Sequence, residues 1–379
     1  MIYLDNSATT PVMKESADLV YESMTHDFYN PSALYAPAVS QERRVTSARS
    51  VIAHMLGAQS NEVFFTSGGT ESNNMAILGC KRPPNKQRCR YICSCMEHSA
   101  VFQVMKYLES QGHEWVVLPV DEKGLIHASA LEQSIDENTM LVSVMHVNNE
   151  VGSIQDLDTL YHIVKQKNPH TVFHSDGVQA FGKMDTASVL TDVYSISGHK
   201  FYAPKGVGAL MIRQKVKHAG GQLGGGQENN MRSGTLNVPS ILGMAKSAKI
   251  VAEHHYYQAD MLTCKTALAH DLLSIPDVFV NGPDIDQGAA HILNMSFCGV
   301  RAEVLLHALE EKNIYVSTGS ACSSKNKENR ILTAMGLPPQ RAQSAIRFSF
   351  SYLNTTDQMH EVAQIIGDLV IKLRRFQPR

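Results

Sequence analysis

Lys200 closes the stretch Ser197-Gly198-His199-Lys200, just past an apolar run. An amine held there in a poorly solvated pocket could lose its proton and form a Schiff base, although an exposed surface lysine is the other reading. Asp176 ends a second apolar run. A carboxylate buried there needs a cationic partner such as a metal, an arginine or a protonated pyridine nitrogen, unless it merely caps a helix. Cys322 lies in Ser317-Thr318-Gly319-Ser320-Ala321-Cys322-Ser323-Ser324-Lys325-Asn326, whose small polar neighbours suit an accessible thiol more than a structural one. Arg347 is a lone cation in Ala345-Ile346-Arg347-Phe348-Ser349, where a ligand carboxylate or an internal Asp or Glu would satisfy it. Thr66-Ser67-Gly68-Gly69-Thr70 presents backbone N–H groups with no side chains on the glycines, which suits a phosphate and equally suits an ordinary capped helix. It lacks the Gly-Lys-Ser/Thr ending of a P-loop.

The elements that must position these groups follow from the apolar pattern. Short apolar runs alternate with amphipathic stretches from about residue 60 to 215, which predicts α/β architecture with a parallel sheet. Seven candidate strands are Glu62 to Phe65, Arg90 to Cys95, Glu114 to Leu118, Met140 to Val147, Thr171 to Ser175, Val193 to Ser197 and Val207 to Ile212. Several are almost wholly apolar, as strands covered on both faces are. Polar clusters follow them at Thr66–Ser72, Met96–His98, Asn148–Glu150, Asp176 and Gly198–Lys200, all at carboxyl ends, so one convergent site explains them together. Gly220 to Gly226 and the residues up to Thr235 read as a functional loop. A long helical stretch from about Ile241 to Leu273 leads to a mixed part with strands at Ile292–Phe297 and Arg347–Ser351. The expected division is a large domain over 13–255 and a smaller one formed by 1–12 and 256–379.

Lysine and arginine total 34 against 36 acidic residues, with no long run of either sign, so neither nucleic acid nor a membrane surface is an expected partner. No signal-like or spanning segment is seen, and a soluble cytoplasmic protein is expected. Seven cysteines, an odd number, fit free thiols in a reducing compartment. Cys80, Cys89, Cys93 and Cys95 lack the two-residue spacing that grips zinc, and no metal site is expected; Cys93 and Cys95 sit in a strand-like run, where small buried thiols are common.

Read in order, the motifs resemble the cysteine desulfurases of the NifS/IscS-like group, within the class V aminotransferase superfamily of fold-type I pyridoxal 5'-phosphate (PLP) enzymes. The likeness runs from Tyr3-Leu4-Asp5-Asn6-Ser7-Ala8-Thr9-Thr10-Pro11 through Met145-His146-Val147-Asn148-Asn149-Glu150 and Arg232-Ser233-Gly234-Thr235 to Gly319-Ser320-Ala321-Cys322 and Arg347-Phe348-Ser349. It implies a large domain with a mainly parallel seven-stranded sheet and a smaller α+β domain. It also implies that Lys200 holds PLP as a Schiff base, Asp176 pairs with the ring nitrogen, His98 stacks on the ring, and Asn149 and Gln179 contact its phenolic oxygen side. Gly69, Thr70, Ser197 and His199 would hold the phosphate, with Thr235 reaching the phosphate of the other subunit of a homodimer. Arg347 with Asn30 would grip the carboxylate of L-cysteine, and Cys322 would take the sulfur as a persulfide for iron–sulfur cluster or thio-cofactor biosynthesis. A selenocysteine lyase, or another class V PLP enzyme with no use for Cys322, is the alternative. Tyr35 stands where the family usually has His, Ala203 where Gly is common and Gly69 where Ala is. The chain ends soon after its last predicted helix, without the tail that relatives use to dock a scaffold, so the sulfur-acceptor protein is not identified.

Overall fold

The computed structural model describes residues 1–81, 88–319 and 329–375. Its centre is a seven-stranded sheet in the order Val63–Thr66, Gly208–Ile212, Val193–Ser197, Val172–Asp176, Thr139–Ser143, Arg90–Ser94 and Glu114–Leu118. All neighbours are parallel except Gly208–Ile212, which runs antiparallel to both strands beside it. Successive side chains alternate between faces, so each face builds its own core. Ile92, Val142, Phe173 and Ile196 pack on one side with Ile52 and Val164, while Tyr91, Leu141, Val172 and Leu210 pack on the other with Ile77 and Met105. The expected strand Met140–Val147 is shorter than its apolar run. Beyond Ser143 the backbone ladder continues only toward Val172–Asp176 (Val144 N to His174 O, 3.0 Å; His146 N to Asp176 O, 3.0 Å), because the neighbouring strand on its other side has already ended at Ser94 and there the Glu97 side chain takes the Met145 N–H instead.

The long helical stretch expected from about Ile241 to Leu273 consists of two helices, Val238–Glu253 and Gln258–Leu273. His255, Tyr256 and Tyr257 take φ of 48°, 61° and 53°, a left-handed turn that no glycine or proline announces. Tertiary packing imposes it. Ile241 and Met244 of the first helix join the core under the sheet, whereas Met261 and Leu268 of the second join a separate core with Phe297, Phe348 and Ile366. That second core surrounds a three-stranded antiparallel sheet, Ala345–Ser349, Ile292–Phe297 and Val278–Asn281. The amino terminus reaches it as well: Ile2–Tyr3 pairs with Ile314–Tyr315, and Asn6 Nδ2 donates to Ser349 O at 2.8 Å. Residues 5–9 are thereby carried past the carboxyl edge of the large sheet.

Candidate active site

A cavity of about 330 Å3 opens at that edge. Gly69, Thr70, His98, Asn149 and Asp176 line it, as do Gln179, Ser197, His199, Lys200 and Arg347. Asp176 ends its strand 4% exposed, with Asn73 Nδ2 donating to Oδ2 at 2.7 Å and Val178 N to Oδ1 at 3.0 Å. Both donors are neutral, so neither supplies a counter-charge, and a cation within the cavity could do so. His98 caps the helix Ser99–Ser110; its Nδ1 accepts from Ala100 N at 3.1 Å, which leaves Nε2 as the ring's donor.

The helix Gly69–Leu78 begins at the cavity, and its first-turn N–H groups have no partners within the helix. A Cβ on Gly69 would stand 2.7 Å from Val178 Cγ2 and 3.5 Å from Ser197 Cβ, so the backbone lies close against both walls. His199 is pushed down to about 4 by burial and by the Lys200 and Lys205 charges, and its Nδ1 lies 3.1 Å from Thr9 Oγ1. It is therefore neutral at neutral pH. Lys200 Nζ donates to the carbonyls of Ser7 at 2.7 Å and Ala8 at 2.6 Å, and Gln179 Nε2 shares the Ser7 carbonyl at 2.9 Å.

At the other end, Arg347 is 6% exposed. Its Nη2 meets Asp5 Oδ1 at 2.6 Å and its Nη1 donates to Asn149 O at 3.0 Å, so the internal carboxylate considered from sequence is present and is Asp5. The Arg347 backbone pairs with Ser317 (3.1 and 2.7 Å), which brings the segment ahead of Cys322 to the rim. Cys322 itself falls in 320–328, outside the described residues. On the far side of that gap Asn329 Nδ2 donates to Glu150 Oε2 at 2.9 Å, and Gly319, Arg330 and Ile331 line the cavity. Asn30 is exposed and does not line the cavity; its Oδ1 accepts from Ser32 N at 3.0 Å. Thr235 is exposed on the loop after Gly226, also away from this cavity.

Sequence reasoning gave no role to Asp5, Asn73, Glu97 or Arg330. Glu97 is fully buried, pushed up to about 8 chiefly by burial, and accepts from Ser94 Oγ at 2.6 Å and Met145 N at 2.8 Å. Arg330 donates to Glu97 O and Cys95 O and lies over the Phe102 ring. Glu97 fell within a quoted cluster and Asn73 one residue past another, but nothing in their types set them apart; Asp5 and Arg347 are 342 positions apart, and no spacing rule joins them.

The arrangement offers an anion cradle at Gly69 and Thr70, a buried carboxylate at Asp176, an amine at Lys200 and a guanidinium at Arg347. Those groups fit pyridoxal phosphate together with an amino acid.

The profile of the family "Aminotransferase class-V" matches residues 2–362. The chain is 39% identical over 381 residues to "Cysteine desulfurase IscS" of Methanosarcina thermophila, covering 100% of this chain and 94% of that protein. Among solved structures, a "NifS-like protein" superposes with a TM-score of 0.92 at 33% identity, over 98% of this chain and 99% of its own. "SspA in complex with cysteine" superposes at 0.80 with 30% identity, over 92% and 99%.

Proposed function

Because the chain belongs to the class-V aminotransferase family, with the fold-type I architecture of its NifS-like neighbours, we propose that it works as a cysteine desulfurase through the cavity just described. It is an enzyme that removes sulfur from L-cysteine and leaves L-alanine. The observation that carries this reading is the convergence of Lys200, Asp176, the Gly69–Thr70 turn and Arg347 on one cavity.

Pyridoxal 5'-phosphate is the cofactor these residues suit. Lys200 would hold it, Asp176 would face its ring nitrogen, and His98 would cover the ring. Asn149 and Gln179 would meet its phenolic oxygen side, and Gly69, Thr70, Ser197 and the neutral His199 its phosphate. When bound it supplies an electron sink, and Asp176 keeps that sink effective by favouring a protonated ring nitrogen. Lys200 can exchange protons with the substrate once its amine is displaced. Arg347, with Asn30, orients the substrate carboxylate. Cys322 thiolate attacks the substrate sulfur: the carbon–sulfur bond breaks, a sulfur–sulfur bond forms, and the carbon takes a proton, giving alanine and a Cys322 persulfide. An acceptor protein then removes the outer sulfur. The division proposed is a large domain over 13–255 and a small one over 1–12 and 256–379, a reading that the presence of two separate apolar cores supports. Thr235 serves the phosphate site of a second copy in a homodimer. No helix among the described residues is long and apolar enough to cross a membrane.

The test is a comparison of Lys200→Ala and Cys322→Ser with the parent protein. The parent is expected to be yellow and to release alanine and sulfide from cysteine in the presence of a reductant. Lys200→Ala loses the visible absorbance and both products, whereas Cys322→Ser keeps the colour, still shifts its spectrum with cysteine and releases no sulfide. Sulfide release near the parent rate by Cys322→Ser would end the persulfide role.

A further inference from the structure

Arg347 already carries a carboxylate where an amino-acid substrate is to place its own. Asp5 Oδ1 stands 2.6 Å from Arg347 Nη2, with the two side chains 22% and 7% exposed, and both residues line the cavity of Lys200 and Asp176. The guanidinium is only partly used: Nη1 donates to Asn149 O at 3.0 Å, and Nε is buried with no hydrogen-bond partner. Three of its five N–H groups therefore have no part in these two contacts, enough for an incoming carboxylate to bind. Such a ligand would put two anions on one guanidinium in a poorly solvated cavity.

Asp5 is not needed in that position to hold its own backbone. Tyr3 Oη donates to Asp5 O at 3.0 Å, Asn6 N to Ser349 O at 3.3 Å and Ser349 N to Leu4 O at 2.7 Å, so the segment is fixed on either side by main-chain bonds. The same segment offers the Ser7 and Ala8 carbonyls to Lys200 Nζ. Residues 5–8 thus meet two cations of the cavity, the one meant for substrate and the one meant for cofactor. A buried guanidinium left alone would be costly, and Asp5 removes that cost between turnovers.

The geometry points to Asp5 as a residue that sets substrate affinity: its carboxylate holds Arg347 in the free enzyme and competes with the carboxylate of the incoming amino acid. This rests on the reading of Arg347 as the carboxylate site. Neutralising Asp5 relieves the repulsion while an amide oxygen can still accept from Nη2, so carboxylate ligands bind more tightly.

The experiment uses the PLP-loaded enzyme and three probes. L-Cysteine gives KM and kcat, 3-mercaptopropionate reports carboxylate binding without an amine through its inhibition constant, and cysteamine reports the amine without a carboxylate through its spectral titration. Asp5→Asn is expected to lower the cysteine KM and the 3-mercaptopropionate constant by roughly fivefold, the scale of one partly screened like-charge contact, and to leave cysteamine unchanged. Asp5→Glu keeps the charge and stays near the parent, and Asp5→Ser repeats the neutralisation with a smaller side chain. Unchanged or weaker 3-mercaptopropionate binding in both neutral variants, while Arg347→Gln loses it, overturns the role of Asp5 and leaves Arg347 standing. If Arg347→Gln binds both carboxylates as the parent does, the carboxylate site lies elsewhere and the inference falls with it.

Discussion

Three histidines are buried without charge. His146 is pushed down to about 4 and His174 to about 3, and His291 lies well below its ordinary value, in each case mainly through burial. An unfolded histidine takes a proton near pH 6.5, so as pH falls from there the unfolded chain binds three protons that the folded chain refuses. Glu97, raised to about 8, and Glu150, also raised by burial, act in the opposite sense above their ordinary range near 4.5. His199, pushed down to about 4, joins them, so the histidines held neutral outnumber the two raised carboxyls and stability is expected to fall as pH drops from 6.5 to 5. Thermal denaturation of the holoenzyme across that range checks it; a flat or rising stability on acidification would show that the histidines are not held neutral. His174→Gln, which removes a group bonded to Ser143 Oγ at 2.8 Å and Ser195 Oγ at 3.0 Å, should flatten the slope. What was legible at this scale was the odd residue in its setting, such as a lysine, aspartate or arginine beside an apolar run. Partners such as Asn73 on Asp176 or Asp5 on Arg347 were not, because only the folded chain brings them together.

The fit between the helix Gly69–Leu78 and the turn after Asp176 explains a departure noted in the sequence. Gly69 replaces a common alanine in the resemblance, and here a Cβ would meet Val178 Cγ2 at 2.7 Å. Val178 cannot retreat freely, since its own N–H caps Asp176 at 3.0 Å. Gly69→Ala is expected to cost about 1–3 kcal/mol through overpacking and to weaken cofactor binding, because the helix end would be displaced from its wall. Val178→Ala opens that space, and the double variant recovers most of both losses. Equilibrium unfolding together with PLP titration of the four proteins checks it; a double variant no better than Gly69→Ala would mean that the two positions are independent. Strand centres were readable from near-continuous apolar runs, and Glu114–Leu118, Val193–Ser197 and Ile292–Phe297 match to the residue. The break at His255–Tyr257 was not readable, because two separate cores pull the flanking helices apart and no local residue marks the turn.

Across the whole molecule, apolar side chains stand in solvent where a single chain gives them no cover. Leu34 is 96% exposed and Leu223 94%, with Phe28 and Tyr35 also exposed. Leu223 belongs to the glycine loop that leads to Thr235, and Leu34 and Tyr35 follow Asn30, so the two segments whose predicted site residues lie away from this chain's cavity carry exposed apolar groups. The homodimer proposed above, with sites shared between subunits, is expected to cover such groups. Thr235→Asp is then expected to weaken PLP binding, since it sets a carboxylate beside a phosphate. Lys200→Ala disables the other half of the site. In a mixed dimer of these two variants one site carries both lesions, while the other combines an intact Lys200 from one chain with an intact Thr235 from its partner. Random mixing makes about half the dimers mixed, each with one working site, so at PLP concentrations that leave Thr235→Asp unloaded coexpression should restore about a quarter of the parent activity. The measurement is sulfide release by the coexpressed pair against each variant alone. If Thr235 serves its own chain's site, every site in the mixture holds a lesion and no activity returns.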